Sequence, residues 1–150
     1  MCQEFFTKNG NETRKLAKLL AQEILKKPLK KKRALIIGLQ GELGSGKTTF
    51  IQSLAKGLCI KNKITSPTFV LMKRYKNFYH IDCYRIKNYK DILALDFQEI
   101  ISNPQNIIVI EWAEKIQKIL PENTIWIKFK IISNKERKIK IYEKISTNRR

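Results

Sequence analysis

The sequence predicts an α/β fold: a three-layer sandwich whose central mixed, mostly parallel sheet has helices on both faces and antiparallel strands near the C-terminus. Two observations lead to this prediction. The runs 34–38 and 107–110 are continuously apolar, as expected for parallel strands that are covered on both faces. Near the C-terminus, isoleucines alternate with lysines over 125–131 and 138–145, which is the pattern of half-buried strands with one open face. We interpret those lysines as also protecting a sheet edge.

The N-terminal part of the chain predicts a strand followed by an amphipathic helix. Residues 3–7 favour a short strand. Asn9 or Asn11 can cap the helix, and Glu12 stands three residues after Asn9 in the manner of a capping box. Leucines then recur at helical spacing. The helix is expected to end near Lys27, and the basic stretch that follows is interpreted as a solvated loop.

Residues 41–48 form a complete phosphate-binding loop of the G-x-x-x-x-G-K-[ST] type, between an apolar strand and a helical pattern over 49–58. Its glycines allow backbone N–H groups to surround phosphate oxygens, and the helix that starts there adds a positive dipole end. Lys47 can reach the β- and γ-phosphates, and the Thr48 hydroxyl can ligate Mg²⁺. The fold is therefore expected to be P-loop NTPase-like. The predicted nucleotide-binding residues are Gly41, Glu42, Leu43, Gly44, Ser45, Gly46, Lys47, Thr48 and Thr49.

The chain after the loop helix alternates irregular and regular segments. Residues 60–69 predict an ordered but irregular segment, and 70–75 with 78–82 predict a hairpin around a tight turn. Residues 89–101 predict one helix, and 113–120 predict a second, shorter helix that stops at a proline.

Two acids stand at predicted strand ends. Glu111 follows four β-branched residues, which is the form of a Walker B strand, and Asp82 closes the hairpin. Because the carboxyl ends of parallel strands meet at one edge of a sheet, both can reach the phosphate crevice. We predict Lys47, Asp82 and Glu111 as catalytic residues and Thr48 and Glu111 as metal ligands.

Three further residues are candidates of a weaker kind. Thr68 lies in an irregular segment after the loop helix and is also predicted as a catalytic residue, one that senses the γ-phosphate as switch segments do, although a plain turn explains it equally well. Trp112 is a core aromatic or an exposed platform, and the core is the safer interpretation. His80 is the one histidine of the chain, and a structural role is favoured.

The chain has 150 residues, which predicts a single domain over 1–150 with a frayed tail at 146–150. Its formal charge is +18, which is typical of proteins with an anionic partner. The excess is carried by lysine, and isoleucine is also abundant, so biased composition explains the charge equally well. Sequence-specific readout of bases favours arginine, which is scarce here, and no DNA partner is expected.

The cysteines and the apolar runs bear on the compartment. Cys2, Cys59 and Cys83 are isolated and odd in number, which argues against a disulfide framework or a zinc site and favours a reducing cytoplasm. Cys59 and Cys83 are expected to be small buried residues. No run approaches the length of a membrane span, so no membrane partner is expected.

Taken together, the motifs resemble the TsaE family (also called YjeE), the P-loop ATPases of bacterial tRNA threonylcarbamoyladenosine biosynthesis. The resemblance rests on five segments, which are 41–49, Ser-Pro-Thr-Phe at 66–69, His-Ile-Asp-Cys-Tyr-Arg at 80–85, Ile-Glu-Trp at 110–112 and Leu-Pro-Glu at 120–122. One departure is visible at Asp96, where the family tends to carry glycine.

The resemblance implies a cytoplasmic protein that binds ATP and Mg²⁺ and has weak ATPase activity on its own. It implies association with a TsaB–TsaD complex, in which TsaD transfers the threonylcarbamoyl group. Whether this chain contacts tRNA directly or only indirectly through that complex stays open. Residue by residue, it implies that Lys47 binds phosphate, Thr48 ligates Mg²⁺, Thr68 acts as the switch residue, and Asp82 and Glu111 are the acidic pair.

Two other functions stay open at this point. A small P-loop kinase for a metabolite is one, although the chain has no arginine-rich lid after Glu111. A basic RNA-binding module with a vestigial nucleotide site is the other. The guanine signature Asn-Lys-x-Asp is absent, which favours an adenine nucleotide.

Overall fold

Seven strands lie in one sheet in the computed structural model, which describes residues 2–27, 32–67 and 71–143. The strands are β1 (Cys2–Thr7), β2 (Leu35–Gln40), β3 (Met72–Tyr75), β4 (Phe78–Asp82), β5 (Ile107–Glu111), β6 (Ile125–Ile131) and β7 (Arg137–Glu143). The helices are α1 (Gly10–Lys26), α2 (Lys47–Gly57), α3 (Lys90–Leu93) and α4 (Phe97–Ser102), with a 3₁₀ helix over Ala113–Ile119. The predicted tail at 146–150 lies outside the described residues.

The sheet has a parallel centre and antiparallel flanks. Its strand order is β1-β7-β6-β2-β5-β4-β3. Strand β2 pairs in parallel with β5 and with β6, and β4 pairs in parallel with β5. Strands β7, β1 and β3 join by antiparallel pairing. The predicted α/β class, with a mixed sheet and antiparallel C-terminal strands, is confirmed.

Each face of the sheet carries its own apolar core. On one face, α1 and α2 cover side chains such as Ile37 and Val109, which are fully buried. On the other face, α3, α4 and the 3₁₀ helix cover Ile36, Ile108 and Ile110. Both faces of β2 and β5 are therefore covered, which is why these strands are continuously apolar.

Helix α1 begins as its sequence predicts. The Asn9 side chain accepts a hydrogen bond from the Glu12 backbone N–H at 3.0 Å, and this satisfies one of the free donors at the helix start. The Glu12 carboxylate reaches back to the Lys8 N–H at 2.7 Å, one residue before the cap. Small residues let α1 approach α2 closely, since a Cβ at Gly57 would lie 2.6 Å from the Ala21 Cβ.

The predicted single helix over 89–101 is wrong, because the chain turns between α3 and α4. Asp96 sits there in the left-handed region, at φ 59° and ψ 33°. Ile92 and Phe97 are both fully buried, yet they are five residues apart and would point to different sides of one straight helix. The left-handed residue redirects the chain so that both side chains enter the same core. Asp96 thus takes the backbone conformation that glycine adopts without cost.

Two smaller expectations are also corrected. Cys59 is exposed, whereas Cys83 is buried as predicted. The lysine-bearing strands β6 and β7 are interior strands of the sheet, because β1 pairs with β7 and forms that edge. Their lysines therefore do not protect a sheet edge.

Candidate functional site

The phosphate-binding loop connects the end of β2 to the first residue of α2. Gly41, Gly44 and Gly46 all have positive φ, at 155°, 79° and 99°. A Cβ at Gly41 would lie 2.7 Å from the Ser45 Oγ and 2.9 Å from the Phe129 Cβ, so only glycine fits there. The loop therefore has the tight geometry that its glycines predicted, and the positive end of the α2 dipole faces the space in front of it.

A cleft of about 580 Å³ opens in front of this loop. Residues from the loop, from the segment before β3, and from the ends of β4 and β5 line it. The lining residues are Leu43, Gly44, Ser45, Gly46, Lys47, Thr48, Thr49, Ser66, Pro67, Leu71, Asp82, Tyr84, Arg85, Glu111 and Trp112. Seven of the nine predicted nucleotide-binding residues thus share one cleft with both predicted acids, whereas Gly41 and Glu42 do not line it.

Lys47 is largely buried and folds back over its own loop. Its Nζ donates to the Gly41 carbonyl and, at 3.3 Å, to the Glu42 carbonyl. It also lies 3.9 Å from the centroid of the Trp112 ring, a cation–π arrangement. Burial lowers the pKa of the Lys47 ammonium, and the carboxylates of Glu111, Glu114 and Asp82 oppose this shift.

Glu111 is buried and is held from two sides. Its Oε1 accepts a hydrogen bond from the Thr48 hydroxyl at 3.2 Å, and its Oε2 lies 2.8 Å from the His80 Nε2. His80 is fully buried. An acid, an alcohol and an imidazole from three different elements therefore meet at the base of the cleft.

Asp82 lies beside Glu111, since the two are register partners in the parallel pair of β4 and β5. Its Oδ1 accepts from the Tyr84 backbone N–H at 2.9 Å. Burial raises the pKa of the Asp82 carboxyl, the Tyr84 hydrogen bond works against this rise, and the nearby Glu111 adds to it. Both acids line the cleft in front of the loop, and their catalytic roles stay a prediction.

The donor set at the cleft base suits Mg²⁺ better than a softer metal. Thr48 and Glu111 present oxygen atoms, and Mg²⁺ is typically held by one or two such ligands together with phosphates and waters. Over the described ranges, no cluster of three or more His, Cys, Asp or Glu side chains could hold a metal ion by itself.

Sequence reasoning undervalued two residues of the site. His80 was expected to be structural, although the alternation along β4 places it on the same face as Asp82, two residues on, and so beside Glu111. Trp112 was assigned to the core. It packs against the core of the second face, but its ring also lines the cleft, with the Tyr84 ring centroid at 5.1 Å. Thr68, the predicted sensor, lies outside the described residues, next to Pro67 of the cleft wall.

The back of the loop is held by a residue that carried no motif. Arg137, the first residue of β7, donates from its Nη2 to the Gly44 carbonyl at 3.0 Å and from its Nε to the Ser45 carbonyl at 3.1 Å. Its Nη1 donates to the Ser133 carbonyl at 2.8 Å. This guanidinium therefore links the turn between β6 and β7 to the phosphate loop.

Among the described residues, no helix is both long and apolar enough to cross a membrane. The model of the family described as threonylcarbamoyl adenosine biosynthesis protein TsaE matches residues 7–139. This range contains the loop, both acids, His80 and Arg137.

Proteins named tRNA threonylcarbamoyladenosine biosynthesis protein TsaE are similar over most of the chain. The one from Rickettsia prowazekii is 40% identical over 137 residues, covering 88% of this chain and 89% of the relative. The one from Bacillus subtilis is 36% identical, with 89% and 80% covered, and the one from Aquifex aeolicus is 33% identical, with 96% and 98% covered. The crystal structure of YdiB from Bacillus subtilis superimposes with a TM-score of 0.71 at 32% identity, over 95% of this chain and 86% of that one. The family model and the relatives agree, and the chain belongs to the TsaE family of threonylcarbamoyl adenosine biosynthesis proteins.

Proposed function

We propose that this protein binds ATP with Mg²⁺ and hydrolyses it slowly, in support of tRNA threonylcarbamoyladenosine modification by a TsaB–TsaD complex. The observation that carries the proposal is the contact of 3.2 Å between Thr48 and Glu111, beside the loop lysine Lys47. A phosphate loop by itself only binds a nucleotide. An alcohol and a carboxylate that converge beneath it supply what phosphoryl transfer also needs.

Each residue has a part that follows from its position. The backbone N–H groups of the loop and the Lys47 ammonium bind phosphate oxygens, for which Lys47 must leave the carbonyls of its own loop. Thr48 and Glu111 would hold Mg²⁺, which would supply positive charge close to the phosphate oxygens. His80 holds the far oxygen of Glu111, and Asp82 faces the same crevice. Asp82 and Glu111 form the acidic pair that positions the attacking water.

Two rim residues support an accessory role. Leu43 of the loop is 67% exposed and Tyr84 is 43% exposed, and both line the cleft. Apolar side chains at an open mouth fit a site that another protein closes. The turnover of the isolated chain is therefore expected to be weak and to rise on binding of the partner. With three free cysteines, the chain fits the reducing cytoplasm.

The decisive experiment measures phosphate release from ATP by the purified protein and by three variants. We expect Lys47→Ala to abolish binding, Thr48→Ala to weaken binding only when Mg²⁺ is present, and Glu111→Gln to lower turnover by about a hundredfold with little change in affinity. Lys56→Ala is a matched control, because Lys56 is exposed in the last turn of the same helix. Unchanged turnover in Glu111→Gln would remove that residue from the site.

The role in modification is tested by reconstitution with TsaB and TsaD. We expect ATP-dependent capture of the pair and several rounds of modification per TsaD, with Glu111→Gln limiting the reaction to about one round. A phosphorylated small molecule in the same assay, instead of free phosphate, would favour the kinase alternative. RNA binding combined with unchanged nucleotide affinity in Lys47→Ala would favour the vestigial site.

A further inference from the structure

The sheet carries a second polar surface on the side opposite to α1 and α2. Strands β6 and β7 place four lysines there as two directly opposed pairs, Lys128 with Lys140 and Lys130 with Lys138. Lys128 and Lys130 are exposed, and Lys138 and Lys140 are half-buried. We call these four residues the lysine face. Within the described part of the chain, no helix covers it.

Repulsion between the ammonium groups of the lysine face lowers the stability of the free protein. Like charges directly opposite each other on a sheet destabilise it. Of the nine residues that β1, β6 and β7 place on this side, Glu4 is the one acid, and it pairs with Lys138 at 3.4 Å. Glu4 is also the register partner of Lys140, so Lys128 and Lys130 are the two lysines of the face that have no acid in a register position. Edge protection does not account for them, because β6 and β7 are interior strands.

Each of the two half-buried lysines lies close to an aromatic ring. The Lys138 Nζ lies 5.8 Å from the Phe6 ring centroid, and the Lys140 Nζ lies 5.5 Å from that of Tyr142. Such contacts limit the freedom of the long side chains. The array is therefore partly ordered before any ligand arrives. Its spacing is about 5 Å between strands and about 7 Å along a strand.

We propose that the lysine face binds the sugar–phosphate backbone of RNA. The face presents four ammonium groups on one surface of the sheet, and such groups neutralise phosphates without reading bases. Phe6 is 70% exposed at its margin and offers a ring on which an unpaired base can stack. The family to which the chain belongs acts in tRNA modification, so RNA is the polyanion that fits this array. The proposal makes the contact with tRNA a direct one, a point that the sequence left open.

The test compares two variants of equal charge. One replaces Lys128, Lys130, Lys138 and Lys140 with Gln. The matched control replaces four exposed lysines on the helical side, which are Lys15, Lys18, Lys56 and Lys63. Binding of a labelled tRNA transcript is measured without nucleotide between about 50 and about 200 mM salt. The absence of nucleotide keeps the result separate from the ATPase proposal.

We expect the lysine-face variant to lose at least about tenfold in affinity at low salt and about three units of salt slope, and the control to stay within about threefold of the original chain. An equal loss in both variants means that binding follows net charge alone, and it overturns the proposal. So does a lack of binding by the unaltered chain. Displacement of the RNA by polyglutamate at equal charge concentration would assign the face to an acidic protein instead.

Folding of the variants is checked by thermal unfolding and by nucleotide affinity, which the lysine face is not expected to affect. If the fourfold variant does not fold, the pair Lys128→Gln and Lys130→Gln is used, because both side chains are exposed. We expect this double variant to show about half of the decrease in salt slope that is expected for the fourfold variant. An unchanged salt slope would overturn the proposal.

Discussion

Glu111 serves two partners at once, and His80 is the partner that fixes its orientation. With one carboxylate oxygen 2.8 Å from the His80 Nε2, the other is left to face Thr48. Groups that orient a metal ligand are commonly worth a factor of about 10 to 100 in metal affinity or activity. On the proposal that Glu111 holds Mg²⁺, the buried His80 would act as a positioning residue through its contact with that carboxylate.

We predict that His80→Leu raises the Mg²⁺ concentration needed for half-maximal turnover by about tenfold or more, and that His80→Gln restores most of this loss. Glutamine can place an amide donor near the position of the imidazole Nε2 and leucine cannot. The check is turnover as a function of Mg²⁺, together with ADP affinity in the absence of metal, which should not change. Equal behaviour of the two folded variants would show that His80 only fills space.

Single residues are also where sequence reasoning reached its limit. The loop, Asp82 and Glu111 were predictable, because each carries a local pattern that permits few alternatives. The role of His80 was not, since a histidine in a strand gains meaning only from the neighbour that pairing brings beside it. Cys59 fails for a similar reason. It lies just past α2 with φ 66°, in a turn. Sequence periodicity does not predict which turn residues are exposed, and Cys59 is exposed.

At the scale of elements, the break between α3 and α4 depends on Asp96, whose left-handed backbone conformation is unfavourable for a residue with a side chain. Asp96 has φ 59°, a region that costs an ordinary residue about 1–2 kcal/mol, somewhat less for Asp, and costs glycine almost nothing. Its exposed side chain makes substitution simple to interpret. The helical pattern over 89–101 was continuous enough to hide this turn.

We predict that Asp96→Gly raises the free energy of unfolding by up to about 1 kcal/mol, the relief of strain being reduced by the greater freedom of glycine in the unfolded chain. Asp91→Gly, at an exposed position inside α3, should lower it by a similar amount. Denaturant unfolding of both variants measures the two effects. Destabilisation by both substitutions would mean that Asp96 makes contacts that outweigh its backbone strain.

A second contact between elements joins the phosphate loop to the turn between β6 and β7. Arg137 donates to the Gly44 and Ser45 carbonyls of the loop and to the Ser133 carbonyl of the turn, so one guanidinium ties the two segments together. No sequence motif announces this contact, because its partners are backbone atoms 92 and 93 positions away. It became visible only with the fold.

We predict that Arg137→Gln weakens ADP and ATP binding by about tenfold while changing the turnover of bound ATP little, because a looser loop loses its preorganised shape. Arg33→Gln is the matched control, since Arg33 is exposed and precedes β2 at the end away from the loop. Equilibrium nucleotide binding and turnover at saturating ATP separate the two effects. A loss of turnover at unchanged affinity would contradict this assignment.

At the scale of the whole molecule, the two faces of the sheet carry different groups of polar residues. The side that carries α1 and α2 places His80, Asp82 and Glu111 under the phosphate loop, and the other side carries the lysine face at the uncovered end. Period-two and apolar patterns predicted the strands themselves. The order of the strands was beyond the sequence, because the pairing of β1 with β7 joins the two ends of the chain.

Gathering acids at the cleft has a consequence for global stability. Burial raises the pKa of the Asp82 carboxyl above its ordinary value of 3.8, so the folded protein binds this proton more readily than the unfolded chain does. Above the raised pKa, Asp82 is ionised in both states and its buried charge lowers the stability of the fold. As the pH falls through the window between the raised pKa and 3.8, this cost is lost.

We therefore predict that Asp82→Asn, which keeps an oxygen to accept from the Tyr84 N–H, is more stable than the original chain at neutral pH in buffer without Mg²⁺, by about 2 °C in unfolding midpoint. The difference should shrink as the pH approaches 4, where the original carboxyl is increasingly protonated in the folded state. Asp91→Asn, on an exposed helix, should show no such trend. The same Asp82→Asn variant should lose ATP turnover, so that stability and activity change in opposite directions at one residue. A lower midpoint at neutral pH would mean that the Asp82 carboxylate stabilises the fold as well as serving the site.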